Sequence, residues 1–244
     1  MTELITMHTH STFCNHAKDP LGDMVQAAVD AGIAHMAATE HYPIPDELDP
    51  SKHSTMPAER LEAYIDAVRE QQKRDDIDVL LGCELDWLGK DETRALHASD
   101  FDRFDVVLGS IHFVDRWLMV SHKNMSRWKS VDLEAFWNRY VELWCEAAKS
   151  DMPFTVMAHA DVVKKFSPKP EFDLEPLYER MARAAREGGR MVEVNTSGAY
   201  AECAEYYPSP SLLQAFRAEG VACTVGTDAH CKEHIARDIE RAYD

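Results

Sequence analysis

Twelve histidines are present, and seven of them fall with two carboxylates at or just after short apolar runs: His8, His10, His16, His41, Glu84, His112, His159, Asp228 and His230. Neutral imidazole is a good ligand for zinc, iron or manganese, and carboxylates are the usual bridges between two such ions. His8 and His10 are spaced i, i+2, which on a strand turns both side chains to one side, and Asp228 and His230 repeat the spacing. One mononuclear zinc site takes three or four protein ligands, so nine candidates imply two or three divalent ions.

Taken singly, each of these residues has an ordinary structural explanation. A His-x-His pair can be a satisfied strand pair, Glu84 a buried salt bridge and Asp228 a turn residue. Their shared placement after successive strands is what such explanations fail to cover. The other five, His35, His53, His97, His122 and His234, are assigned surface or packing roles. Cys14 and Cys231 flank expected ligands, but the imidazoles already fill the site. Trp117, Trp128, Phe136, Trp137, Tyr140 and Trp144 read by default as core or helix-face packing, with walls of a pocket as the alternative for Trp117 and Trp128.

The elements that must carry these residues alternate regularly. Strands are expected at Leu4–His8, Ala34–Thr39, Val79–Leu85, Asp105–Phe113, Phe154–His159, Met191–Asn195 and Ala222–Gly226. Helices are expected at Leu21–Ala31 (with Asp19 as cap and Pro20 in the first turn), Pro57–Arg74, Asp91–Ser99, Asp132–Lys149, Leu174–Glu187, Ser209–Glu219 and Lys232–Ala242. Seven strands each followed by a helix describe a parallel α/β architecture. A distorted (β/α)7 barrel is favoured over an open sheet, because functional residues follow every strand but the sixth, and in a barrel those C-terminal ends share one face.

The 244 residues are 45% hydrophobic and 28% charged, which fits a single domain over 1–244 and excludes disordered and fibrous classes. With 26 basic against 43 acidic residues the net charge is −17, so neither nucleic acid nor membrane is an expected partner. An anionic substrate would need local positive charge, which bound cations supply. Six cysteines without a Cys-x-x-Cys pair, together with a start unlike a secretory leader, point to reduced thiols and a cytoplasmic location. No apolar run approaches the roughly 18 residues of a membrane helix.

Seven blocks along the chain carry a resemblance: Met-His-Thr-His-Ser-Thr-Phe-Cys-Asn-His-Ala, Thr-Glu-His-Tyr-Pro, Gly-Cys-Glu-Leu-Asp, Gly-Ser-Ile-His-Phe, Ala-His-Ala-Asp-Val-Val, Glu-Val-Asn-Thr-Ser-Gly and Gly-Thr-Asp-Ala-His. Together they resemble the PHP (polymerase and histidinol phosphatase) superfamily, and within it the histidinol-phosphate phosphatases. The resemblance implies a distorted (β/α)7 barrel with three divalent ions of zinc, iron or manganese. It divides the ligands among them: His8, His10, Glu84 and Asp228 on one ion, Glu84 with His112 and His159 on a second, and His16, His41 and His230 on the third.

The implied activity is hydrolysis of a small phosphorylated metabolite, L-histidinol phosphate first, with another phosphorylated metabolite or a nucleotide phosphodiester as the alternative and a non-catalytic metal-binding module as a third reading. A water made acidic by the ions attacks phosphorus in line. Asp161, Glu40 or a water on the ions would protonate the leaving group. Lys164, Lys165 and Tyr200 are the expected substrate contacts; the two lysines stand where arginine is common in the family and would bind phosphate as point charges, not as forks. Ala199 and Tyr200 stand where a phosphate-binding arginine is usual. Glu202, Glu205 or Glu40 would meet the amino group of histidinol phosphate. Oligomeric state has no signature in the sequence.

Overall fold

The computed structural model describes residues 3–97 and 101–243. Its main sheet has seven parallel strands: β1 (Leu4–Thr6), β2 (Ile33–Ala38), β3 (Asp78–Asp86), β4 (Val106–Ser110), β7 (Val156–Met157), β8 (Met191–Asn195) and β9 (Cys223–Gly226), hydrogen-bonded in that order. The outer strands also meet. Met7 N–H donates to Val225 O at 2.8 Å, Asp228 N–H to His8 O at 2.9 Å and His10 N–H to Ala229 O at 2.9 Å. These bonds nearly close the sheet into a (β/α)7 barrel and bring the ends of β1 and β9 side by side.

Helices cover the outside because each buries one stripe. In α1 (Leu21–Asp30) the buried residues are Leu21, Met24, Val25 and Ala28, a helical i, i+3, i+4, i+7 set. α2 (Leu61–Gln71) buries Tyr64, Ile65 and Val68, and these join α1 and β2 in one apolar cluster. α4 (Leu133–Lys149), α5 (Glu175–Gly188) and α6 (Pro210–Ala218) share a second cluster containing Trp137, Trp144, Met181 and Phe216. α5 stops where Gly189 takes φ 66°, a left-handed turn that glycine adopts without cost. Among the described residues no helix is long and apolar enough to cross a membrane.

Several expected elements are redrawn by local chemistry. The strand expected at Asp105–Phe113 ends at Ser110, and the chain then forms a hairpin, β5 (Phe113–Val114) with β6 (Trp117–Leu118). Its turn residues Asp115 and Arg116 have φ 47° and 63°, the paired positive values that hairpin turns require. A run of 3-10 turns over His122–Ser130 follows, with Trp117 and Trp128 buried in the core. The helix expected at Pro57–Arg74 opens as a 3-10 turn, Ala58–Arg60, before α2. The short helix is α3 (Lys90–His97), and Ser99 lies outside the described residues.

Pro20, not Asp19, occupies the cap of α1, and the Asp19 carboxylate instead accepts from Lys232 N–H at 3.0 Å. The helix expected at Lys232–Ala242 is two 3-10 turns, Lys232–His234 and Glu240–Tyr243. Asp238 between them has φ 58°, which a continuous right-handed helix cannot contain.

Candidate metal and active site

Eight of the nine expected ligands lie in the segments that follow parallel strands on the C-terminal rim of the barrel, and Glu84 lies inside β3, two residues before its end. The ladder runs beyond the end of β2: Glu84 N–H donates to Glu40 O at 2.9 Å and Tyr42 N–H to Glu84 O at 2.8 Å, which sets His41 beside Glu84. His159 and Asp228 occupy positive φ, 24° and 50°, a backbone state that non-glycine residues keep only where the surroundings enforce it.

Five overlapping groups form among the described residues; one joins His10 to His41 and Glu84, another joins His10 to Cys14 and His230, and three more complete the set. His8, His10 and Asp228 form one, with His10 Nε2 3.3 Å from Asp228 Oδ1. His8, Glu84 and His159 form another, with His112 Nε2 3.2 Å from His159 Nε2 and 3.4 Å from Glu84 Oε1. His16, His41 and His230 form the third, with the Nε2 atoms of His16 and His230 2.8 Å apart. Glu84 lies between them: Oε1 is 2.8 Å from His159 Nε2, and Oε2 is 2.9 Å from His41 Nδ1 and 3.3 Å from His8 Nε2.

This donor set fits divalent ions. Ring nitrogens point at one another at 2.8–3.2 Å, and the buried Glu84 Oε2 has no hydrogen-bond partner among the described residues. Such lone pairs sharing a point are satisfied by a cation.

Protonation states favour the same use. Burial lowers His10, with His230 and His41 adding to the effect. Burial and neighbouring imidazoles hold His16 down to about 3, and burial, with Asp228 opposing it, holds His230 at about 4. Burial opposes ionisation of Glu84, but His41, His8 and His112 outweigh it and keep the carboxyl well below its ordinary range. Asp228 is held low in the same way, chiefly by His8. His8 runs the other way and is raised: burial opposes its charge, and Glu193, Asp228 and Glu84 overcome it.

Two carboxylates absent from the expected list brace the site from behind. Glu193 Oε1 is 2.9 Å from His8 Nδ1, and Oε2 accepts from His159 N–H at 2.8 Å. Asp86 Oδ1 is 3.0 Å from His112 Nδ1. The sixth parallel strand, read from sequence as delivering no metal ligand, delivers the brace Glu193. Its position in the Glu-Val-Asn block and the i, i+2 spacing of Asp86 from Glu84 were the available signals. A Cβ on Gly226 would lie 1.9 Å from Glu193 Oε1, so glycine there leaves room for the brace.

The remaining expected site residues are placed as follows. Glu40 is buried and turned onto the loop after β1, accepting from Ser11 N–H at 2.6 Å, Ser11 Oγ–H at 2.5 Å and Cys14 N–H at 3.1 Å. Burial raises its carboxyl to about 7 against those bonds. Asp161 is buried, with Oδ2 2.9 Å from Lys164 Nζ and Oδ1 lacking a partner among the described residues. Lys164 also donates to Glu205 Oε2 and Tyr206 O, both at 2.7 Å. Lys165 lies over the Phe166 ring at 5.4 Å. It lines a groove of about 1290 Å³ between α5, α6 and the loop after β7, to which none of the nine candidate ligands contributes. Glu202 is exposed. Tyr200, 54% exposed, carries the Arg237 guanidinium 3.7 Å above its ring.

Of the flanking thiols, Cys14 lies with His10 and His230, but burial and Glu40 push its pKa upward and its Sγ–H donates to Ser11 O at 3.3 Å. Cys231 is likewise raised by burial and Glu233.

Residues 6–197 match the family model for the PHP domain. The chain belongs to the PHP family. As a PHP-domain chain it is 31% identical over 233 residues to a Deinococcus radiodurans protein named "Probable histidinol-phosphatase", covering 94% of this chain and 87% of that one. A Schizosaccharomyces pombe protein of the same name is 25% identical over 98% of this chain and 84% of its own length. The fold is shared with a solved HisK structure from Listeria monocytogenes, with a TM-score of 0.86 and 20% identity over 97% of this chain and 99% of that one. Histidinol phosphate phosphatase from Lactococcus lactis, solved with zinc, L-histidinol and phosphate, superposes with a TM-score of 0.76 and 20% identity over 98% and 94% of the two chains.

Proposed function

We propose that this PHP protein is a cytoplasmic, metal-dependent phosphatase that hydrolyses L-histidinol phosphate to L-histidinol and phosphate, a step in histidine biosynthesis. The convergence of seven imidazoles and two carboxylates on one rim carries the reading. The name of the Deinococcus relative and the zinc, L-histidinol and phosphate of the Lactococcus structure support the substrate. Six free cysteines support the reducing compartment.

Three ions are proposed, divided as the family resemblance implies: His8, His10, Glu84 and Asp228; Glu84, His112 and His159; His16, His41 and His230. Zinc is the first choice, and iron or manganese would suit the same donors. When bound, the ions supply Lewis acidity, lowering the pKa of a water for in-line attack and neutralising the phosphoryl oxygens. The protein does the positioning. Glu193 and Asp86 hold His8 and His112 in one ring orientation. Glu40, with both oxygens engaged, fixes the loop that carries His10 and His16. The proton for the leaving alkoxide is assigned to Asp161, whose Oδ1 is uncommitted. Glu202, exposed and lining the same groove as Lys164 and Lys165, is proposed to meet the substrate amino group where that groove adjoins the rim, since Glu205 is paired with Lys164.

Phosphate release from L-histidinol phosphate by metal-loaded protein, beside an aryl phosphate and an aryl phosphodiester, tests this. Turnover of L-histidinol phosphate far above both esters is expected. Equal or better turnover of the generic esters overturns the substrate while leaving the hydrolase.

A further inference from the structure

We propose that Arg237 is the phosphate-recognising residue of this site, presented across the Tyr200 ring from the segment after β9. The inference rests on the reading of the substrate as a phosphomonoester.

The cations near the rim differ in what they have left to offer. All three protons of the Lys164 ammonium are committed, to Asp161, Glu205 and the Tyr206 carbonyl. Arg60 donates to the carbonyls of Thr12 and Phe13. Lys165 lies over the Phe166 ring, in the groove that Lys164 also lines. The Arg237 guanidinium has no hydrogen bond or ion pair among the described residues, and its Nε is buried without a partner. In a chain with a net charge of −17, a sheltered guanidinium that meets no carboxylate is a costly arrangement unless an anion completes it.

Its position ties it to the metal rim. The Arg237 carbonyl accepts from Thr196 Oγ–H at 2.8 Å, and the next residue, Ser197, places its hydroxyl 3.3 Å from Asp228 Oδ2. The same short helical turn, Thr196–Tyr200, ends in the aromatic ring on which the guanidinium rests. Stacking on an aromatic face holds the planar fork in one orientation and leaves its edge N–H groups free, the arrangement that suits two oxygens of one phosphoryl group. Tyr200 stands where the family resemblance leads one to expect an arginine. Here the guanidinium arrives at that place from the segment after the neighbouring parallel strand, β9.

The test compares metal-loaded wild type with Arg237→Ala, Arg237→Lys and Lys18→Ala. Lys18 is the control cation, because its backbone N–H donates to His230 O at 2.8 Å. Binding of inorganic phosphate is measured by calorimetry, and KM and kcat with an aryl phosphate and with L-histidinol phosphate. Arg237→Ala is expected to weaken phosphate binding and raise both KM values about 10- to 100-fold at unchanged metal content, with Arg237→Lys recovering part of the loss. Should the alanine variant fail to fold, the lysine variant still reports, since it keeps the charge and loses the fork. Unchanged phosphate affinity in both Arg237 variants overturns the proposal, as does a loss confined to Lys18→Ala. Wild type that binds phosphate through Arg237 but ignores L-histidinol phosphate refutes the substrate and retains the residue. Wild type that binds no phosphate refutes both.

Discussion

Glu193 braces two candidate metal ligands at once: Oε1 lies 2.9 Å from His8 Nδ1, and Oε2 accepts from the backbone N–H of His159 at 2.8 Å. One buried carboxylate therefore sets the ring orientation of His8 and the backbone that launches His159. Asn195 Nδ2 holds the same Oε2 at 3.1 Å. Replacing Glu193 by Gln swaps one acceptor for a donor, so either His8 or His159 loses its support. Metal affinity, measured by competition with a chromophoric chelator, is expected to fall about 10- to 100-fold with the fold retained. Affinity equal to wild type would show that the brace is dispensable.

Lys164 and Asp161 form a buried pair at 2.9 Å. Removing the ammonium leaves a charge with one oxygen already lacking a partner, so Lys164→Met is expected to cost about 3–5 kcal/mol in denaturant unfolding. Adding Asp161→Asn should recover much of that loss, since it removes the stranded charge. A single variant as stable as wild type would contradict the pairing.

The rhythm of the barrel and the nine convergent residues were legible in the sequence because both follow from local rules. Apolar strand runs fix which ends share a face, and His and carboxylate residues at those ends announce their chemistry. The supports were not legible. Glu193 reads as an ordinary polar strand residue until β8 is seen beside β7, with the loop after β7 curling back over it. Arg237 is hidden for a similar reason: the left-handed Asp238 breaks the expected last helix, and the resulting turns carry Arg237 onto Tyr200. The hairpin after β4 depends on positive φ at Asp115 and Arg116, residue types that do not announce such a turn as Asn-Gly does.

His35, on β2 away from the metal rim, supplies a pH dependence. The hydrogen bond to Asp78 at 2.9 Å, with Glu3 at 3.3 Å, raises its pKa above the ordinary value. A raised imidazole pKa stabilises the fold fully below the unfolded value of about 6.5 and loses that stabilisation as pH rises through the folded value. His35→Gln is therefore expected to lower Tm slightly, by at most about 2 °C, near pH 5.5, and to leave it unchanged near pH 8.5. A larger difference at the alkaline pH would reverse the sign and refute the assignment.

The central claim is that Glu84 joins neighbouring metal positions and that phosphate release depends on them. Metal content by elemental analysis and phosphate release from L-histidinol phosphate, measured together on wild type and Glu84→Gln, test it most directly. The account predicts about three ions per chain in wild type, at least one fewer in Glu84→Gln, and loss of turnover by about 10³-fold or more, the loss of several kcal/mol of charge stabilisation. A Glu84→Gln protein with full metal content and wild-type phosphate release would contradict it.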